Sequence, residues 1–178
     1  MSKALVVVDM QVDFGLPTGS LYVTGAEEIL EPVNALVDSW DGPVVYTADD
    51  HPPTTPHFDT WPVHCVAGTP GAQFLPGLHL LGPVVRKGTD GQDGYSGFTT
   101  KAQDGATSPT ELEALLREEG VTEVTVVGLA GDYCVGATAL DAAALGFPTR
   151  MPLALTRFVG DPADMLGRLD AAGVEVVR

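Results

Sequence analysis

The chain is short of positive charge, of cysteine and of long apolar runs, and each shortage removes a class of function. Nine lysines and arginines face 24 aspartates and glutamates over 178 residues, a formal charge of −15. Such a surface repels nucleic acid and anionic membrane, so the acidity reads as solubility. Only two cysteines occur, Cys65 and Cys134, too few for a disulfide scaffold in a chain of this size. In a reducing compartment both are expected as free thiols. The first apolar run, Ala4–Val8, is five residues long before it meets Asp9, too short for a signal-peptide core or a membrane span. A cytoplasmic protein with neither nucleic-acid nor membrane partner is expected. Repeats, low-complexity tracts and linkers are missing too. With 44% hydrophobic residues, residues 1–178 read as a single domain able to bury a two-sided core.

What is present is organised around short apolar runs that stop on reactive side chains. Ala4–Val8 precedes Asp9, Val44–Thr47 precedes Asp49 and His51, Pro83–Arg86 precedes Lys87, and Val124–Gly128 precedes Cys134. Between the runs lie helix signals, the alternation expected of βαβ units. Thr24-Gly-Ala-Glu27 and Ser108-Pro-Thr-Glu111 have the form of capping boxes, the second with Pro109 at the first helical position. Asp161-Pro162-Ala-Asp164 repeats that logic, and Asp132 is placed to cap a helix running to about Gly146. Gly120, Gly146 and Gly173 stand where helices would end. Further strands are expected at 147–153 and 174–177. The reading is a three-layer α/β/α, Rossmann-like, doubly wound sheet of about six mainly parallel strands with right-handed crossovers. Open parallel sheets bind and react at the carboxyl ends of their strands, which is where these four runs deliver their functional groups. Two long irregular stretches, Asp50 to about Gly77 and Gly88 to Thr107, are functional loops by the same logic.

The first loop holds three of the four histidines, His51, His57 and His64, within fourteen residues and beside Asp49. Imidazoles with a carboxylate suit a divalent transition metal such as zinc, manganese or iron, and an incomplete protein ligand set leaves positions for water or substrate. The plain alternative is a set of loop histidines bonded to backbone. Asp50, on the other side of the turn, is expected in solvent. Cys134 follows a strand and a glycine-containing turn and opens a helix, where a thiol has a lowered pKa and lies beside backbone N–H groups able to hold an oxyanion. A small buried residue packing a helix start is the competing reading, and it suits Cys65 better. Lys87 is one of three lysines. At the active edge it could hold a carboxylate ionised and stabilise a thiolate, with Asp9 as proton shuttle.

The segments Val8-Asp9-Met-Gln-Val-Asp-Phe14, Asp49-Asp-His51-Pro, Trp61-Pro-Val-His64-Cys-Val-Ala-Gly-Thr-Pro-Gly71, Lys87-Gly, Tyr95-Ser-Gly-Phe98 and Gly128-Leu-Ala-Gly-Asp-Tyr-Cys134-Val run in order along nearly the whole chain. In them the chain resembles the nicotinamidase/pyrazinamidase branch of the isochorismatase-like cysteine hydrolases. The resemblance implies the isochorismatase-like hydrolase fold and a catalytic triad of Asp9, Lys87 and Cys134. It also implies one divalent metal, zinc before manganese or iron, on Asp49, His51 and His64, with His57 a further or water-mediated ligand, and no organic cofactor. It places a cis peptide at Leu129-Ala130, so that the Ala130 and Cys134 amides form an oxyanion hole. Phe14 and Trp61 would flank a pyridine ring, and Tyr95 and Ala130 would complete the substrate pocket. The implied reaction converts nicotinamide, and pyrazinamide with it, to the acid and ammonia through a thioester on Cys134, in a monomer or small homo-oligomer.

Two positions depart from the family pattern: Gly131, where Thr, Ser or Leu is usual, and Ala154, where an aspartate is common. Three other readings stay open at this level: an amidase for another small amide or carbamoyl compound, a metal-water hydrolase with a structural Cys134, and a non-catalytic binding module on the same fold. The main reading divides the site in two. Asp9, Lys87 and Cys134 should converge on one wall, and Asp49 with the histidines should form the opposite one.

Overall fold

The computed structural model describes residues 2–91, 93–102 and 104–178; Met1, Gln92 and Gln103, the last two within the second predicted loop, lie outside them. Among the described residues there are nine strands: β1 (Ser2–Val8), β2 (Val44–Asp49), β3 (Val84–Lys87), β4 (Thr99–Lys101), β5 (Thr107–Pro109), β6 (Val121–Leu129), β7 (Thr149–Pro152), β8 (Thr156–Arg157) and β9 (Glu175–Val177). The helices are α1 (Val12–Gly15), α2 (Leu30–Ser39), α3 (Leu112–Glu118), α4 (Cys134–Ala144) and α5 (Ala163–Ala171). The central sheet has the order β3-β2-β1-β6-β7-β9, with β8 also on β6, and every pairing in it is parallel.

Strand periodicity builds the layers. Along β1, Ala4, Val6 and Val8 turn to one face and pack with Leu112 and Leu116 of α3, Val135 and Ala139 of α4, and Met165 and Leu169 of α5. Leu5 and Val7 turn to the other face and meet Ile29, Val33 and Val37, the last two on α2. Both faces are covered, which is why β1 reads as an unbroken apolar run. The chain first moves outward from β1 to β2 and β3, then crosses the sheet to β6 and continues to β7 and β9. The direction therefore reverses between β1 and β6, the crevice where open parallel sheets take their ligands.

Several local expectations need correction. Gly25, not Thr24, occupies the N-cap of the 3₁₀ turn at Ala26–Ile29 that leads into α2, with no side-chain cap bond. Ser108 and Pro109 are part of β5, which pairs antiparallel with β4. Three-residue strands carry too little alternation to be read beforehand. The α3 N-cap is Glu111, without a side-chain cap bond, and Thr110 just before it accepts from the Leu112 amide through Oγ1 at 3.2 Å. Asp132 does not cap α4: its carboxylate accepts from the amides of Val159 and Gly160 at 2.9 and 2.8 Å. The α5 N-cap is Pro162 rather than Asp161, although the Asp161 carboxylate just before it accepts from the Ala163 amide at 2.9 Å. Gly146 takes φ 86° just after α4, the left-handed exit expected of it. Among the described residues no helix is long and apolar enough to cross a membrane.

Candidate active site

The strand ends deliver a buried charge cluster. Asp9, Asp49 and Lys87 are at most 5% exposed and Cys134 is 7% exposed. Lys87 stands beside Asp49 in the β2–β3 register. Its Nζ bonds Asp49 Oδ1, lies 2.9 Å from Asp9 Oδ2 and is 3.6 Å from Cys134 Sγ. Asp9, at the end of β1, takes φ 47°, a left-handed turn that Asp tolerates better than most residues. Its Oδ1 accepts from Thr47 Oγ1 at 2.6 Å. Its Oδ2 is paired with the Lys87 ammonium, which also reaches the Cys134 sulfur. The carboxylates of Asp9 and Asp49 and the Cys134 sulfur bring one atom each within 4.8 Å of one another.

Burial and charge set the protonation states. Burial, the largest effect, with only partial relief from Lys87, raises the Asp9 carboxyl above its ordinary value. Asp49 goes the other way, because the Lys87 ammonium and His51 together outweigh its burial. Lys87 is likewise buried, yet the two carboxylates hold it well above the ordinary lysine value, as an ammonium. The expected lowering of the Cys134 pKa is not found. Burial first, then Asp9 and Asp49, push the thiol well above its usual range, and Lys87 offsets only part of this. A helix N-terminus lowers a thiol pKa where solvent is near; here desolvation wins. Cys134 thus rests as a thiol, with a carboxylate of raised basicity beside it to take its proton.

The histidines gather on the other side of Asp49. His51, His57 and His64 are all buried, and one nitrogen from each ring lies within 4.8 Å of the others. His57 therefore stands level with His51 and His64. Asp49 Oδ2 lies 3.7 Å from His51 Nε2 and 3.9 Å from His64 Nε2. The outward nitrogens of two rings are occupied, His64 Nδ1 by the Pro62 carbonyl at 2.6 Å and His57 Nδ1 by Asp93 Oδ1 at 2.6 Å. Among the described residues neither nitrogen of His51 has a hydrogen-bond partner, and a buried ring without partners is costly unless something else binds it. Three imidazoles and a carboxylate are a donor set that suits zinc. Burial lowers the His57 and His64 pKa values despite their acceptors, which favours the neutral form that ligates. Gly88, at φ 79°, lets this loop approach closely, since a Cβ there would sit 2.6 Å from His51 Nδ1.

The predicted separation into two walls fails at Asp49. One of its oxygens takes Lys87 and the other faces His51 and His64, so the two groups share a carboxylate. Gln11, within the Asp9–Phe14 segment, explains how Asp49 is held, a role that no sequence signal marks. Its Nε2 donates to the carbonyls of Asp49 and Ala72 at 2.7 and 2.9 Å, and its Oε1 accepts from the Asp49 amide at 2.8 Å. Asp13 does the same for the loop, accepting from the Cys65 amide at 2.8 Å where Cys65 takes φ 44°. Cys65 itself is fully buried and, like Cys134, free, which agrees with a packing role. Asp50 is not simply solvated: it lies 3.6 Å from Arg86.

Beside the charge cluster lies a pocket open to solvent, about 420 Å³ when the solvent at its mouth is counted. Asp49, His57, His64, Ala130 and Cys134 are at its floor and sides, and Phe14, Leu21, Val23, Trp61, Tyr95, Leu129, Tyr133 and Val159 form the apolar walls. Trp61 Nε1 donates to the Tyr95 hydroxyl at 3.1 Å, and Tyr133 meets both rings, 5.0 Å from Trp61 and 5.3 Å from Tyr95. Phe14 packs 5.3 Å from His64. Tyr133, Leu21, Val23 and Val159 had no signal in the sequence beyond their apolar character. The Leu129-Ala130 peptide is cis, and Cys134 is the first residue of α4, a position whose N–H helix geometry leaves without an intrahelical acceptor. Gly131 is explained by packing: the Phe158 ring occupies the place of its side chain, and a Cβ would meet Phe158 Cε1 at 2.4 Å. Ala154 is exposed and does not line the pocket.

A parallel α/β domain that gathers a thiol, an ammonium and carboxylates at its topological switch point has the architecture of a hydrolase working through a buried cysteine. The chain belongs to the isochorismatase family, whose domain matches residues 3–153. It is 39% identical to the nicotinamidase/pyrazinamidase of Mycobacterium tuberculosis over 98% of both chains. Among solved structures, the crystal structure of PnC1 from L. infantum in complex with nicotinate superposes with a TM-score of 0.91, at 38% identity over 99% of this chain and 92% of that one. The pyrazinamidase of Pyrococcus horikoshii, solved in complex with zinc, gives 0.86, at 34% identity over 100% and 99%.

Proposed function

We propose that this chain is a metal-containing cysteine amidohydrolase that converts nicotinamide, and pyrazinamide with it, to the carboxylic acid and ammonia. The observation that carries the reading is the contact of Lys87 with Asp9 and Cys134 beneath an aromatic pocket. No arginine lines that pocket among the described residues, and the one buried ammonium is already flanked by two carboxylates. A neutral carboxamide suits such a site better than a carboxylate does, so the anionic product is repelled where the substrate was held.

In the proposed mechanism Phe14 and Trp61 flank the pyridine ring, Tyr95 closes the pocket, and the carboxamide carbon reaches Cys134. Asp9 accepts the thiol proton as the sulfur attacks, and Lys87 stabilises the anionic charge that develops beside it. The amides of Ala130 and Cys134 hold the oxyanion. Asp9 returns the proton to the departing nitrogen, ammonia leaves and a thioester remains on Cys134. Water deprotonated by Asp9 then attacks the thioester carbonyl; the C–S bond breaks, and the thiol recovers its proton. Asp49, His51, His57 and His64 would hold the metal. Zinc is the first choice, supported by the donor set and the zinc complex of the Pyrococcus relative. When bound it supplies a Lewis-acidic position that orients the ring nitrogen. No organic cofactor is required. The reading is completed by a single domain over residues 1–178, a cytoplasmic location that keeps both thiols reduced, and a monomer or small homo-oligomer without nucleic-acid or membrane partner.

Ammonia release from nicotinamide, measured on metal-replete wild type, on Cys134→Ala and after chelation, tests this. Release by the wild type and none above background by Cys134→Ala is expected. No release from the replete wild type overturns the reading, and full activity in Cys134→Ala would transfer the chemistry to a direct metal-water hydrolase.

A further inference from the structure

The ring of His57 is turned by a carboxylate from a different loop. Its Nδ1 lies 2.6 Å from Asp93 Oδ1, 36 positions along the chain. Asp93 is itself anchored: Oδ1 also accepts from the Gly94 amide at 2.8 Å. Its backbone exchanges two hydrogen bonds with Lys101, of 2.6 and 2.7 Å. The pair is asymmetric, with the His57 side chain 5% exposed and that of Asp93 55% exposed. An imidazole nitrogen facing a carboxylate carries the proton, which leaves Nε2 of the same ring as the lone-pair nitrogen. His57 stacks on His51 at 4.6 Å and 21°, and its centroid is 5.2 Å from that of His64.

We propose that Asp93 is a positioning residue for the metal centre, fixing His57 as the Nδ1–H tautomer so that its Nε2 is presented to the ion alongside His51 and His64. The inference rests on the metal reading above and adds a residue outside the predicted site. Carboxylates that orient ligating histidines in this way are worth 10- to 100-fold in metal affinity. Asp93 is half in solvent, which places its effect at the lower end. The same segment carries Tyr95, whose hydroxyl accepts from Trp61. Thr55 Oγ1 also donates to the Gly91 carbonyl at 3.4 Å, so the two loops are clasped both beside the histidines and in the aromatic wall.

The test is zinc affinity, measured by competition with a chromophoric chelator on metal-free protein, for wild type, Asp93→Ala and Asp93→Asn, with melting temperature as the second readout. Asp93→Ala should bind zinc about tenfold more weakly. Asp93→Asn, whose amide oxygen can still accept from Nδ1–H, should lie between it and wild type. The metal-free melting temperatures should agree within about 2 °C, since the substituted side chain is half exposed. Ring ¹⁵N shifts of His57 should show the Nδ1–H form in wild type and a tautomer mixture in Asp93→Ala. Equal zinc affinity in wild type and Asp93→Ala overturns this inference alone. A fall in affinity matched by a fall in metal-free melting temperature assigns Asp93 a structural role and also overturns it. A wild type that binds no zinc overturns the metal reading and this inference with it.

Discussion

The two halves of the site are built in different ways. Asp9, Asp49 and Lys87 stand on the ends of three hydrogen-bonded parallel strands and Cys134 opens the helix after a fourth, so the sheet ladders fix their relative positions. His57, His64, Trp61 and Tyr95 stand on segments without long regular elements, held by individual clasps. Asp13 bonds the Cys65 amide, Thr55 caps the turn at His57, Asp93 meets the His57 ring, and Trp61 bonds Tyr95. Only Asp49 belongs to both halves. The rigid half is suited to bond making, which fails with small displacements, and the clasped half to binding, where loss is graded.

The sharpest break in that comparison is Cys134→Ala. It should lower kcat by at least about 10⁴-fold, since nothing else in the rigid half can carry the acyl group, and the ammonia assay reads this directly. Lys87→Met comes next and tests how far the rigid half depends on one cation. With its ammonium gone, Asp9 and Asp49 remain buried without compensation, and denaturant unfolding should show a loss of about 3–5 kcal/mol near neutral pH. The loss should shrink toward pH 5, because carboxylates with raised folded-state pKa values take up protons as pH falls and are destabilising only above that range. A variant as stable as wild type at pH 8 would refute the reading of this cluster as a balanced charge network.

Metal removal probes the other half. Chelation should cost on the order of 10²-fold in kcat/KM, carried mainly by KM because orientation is lost while the nucleophile remains. A fall confined to kcat would move the metal from binding into chemistry. The smallest effect belongs to Thr47→Val, which deletes the 2.6 Å donor to Asp9. Burial already raises the Asp9 pKa, and the Thr47 hydrogen bond lowers it. The acid limb of kcat/KM should therefore lie above the ordinary carboxylate range in wild type and move up by about one pH unit in the variant, the equivalent of a charge-assisted hydrogen bond of about 1.5 kcal/mol. An unchanged pH profile would remove Asp9 as the base.

Legibility in the sequence divides along the same line. Strands β1, β2 and β6 and their terminal groups could be read because a parallel strand buried on both faces is a short apolar run, and the residue ending it lies at the active edge; the edge strand β3, with Arg86 exposed, was legible from its Val84-Val85 pair and the lysine that ends it. The histidine cluster was visible as a density of imidazoles, yet the orientation of His57 was not, since its ring is turned by Asp93 from the next loop. Gln11, which holds Asp49 with three hydrogen bonds, was hidden because a buried glutamine has no periodicity to mark it. Two of the capping signals that misled did so for a related reason: at Ser108 a β-ribbon, and at Asp132 the 159–160 amides, competed successfully for the same groups.

The sequence by itself determined the layered parallel architecture, the identities of the strand-end groups and the family to which the chain belongs, because hydrophobic period and ordered local segments are properties of nearest neighbours. Only the tertiary structure decided the protonation states and the sharing of Asp49. Whether Cys134 is a thiol or a thiolate depends on desolvation and on charges brought from β1, β2 and β3, and no local spacing contains those distances.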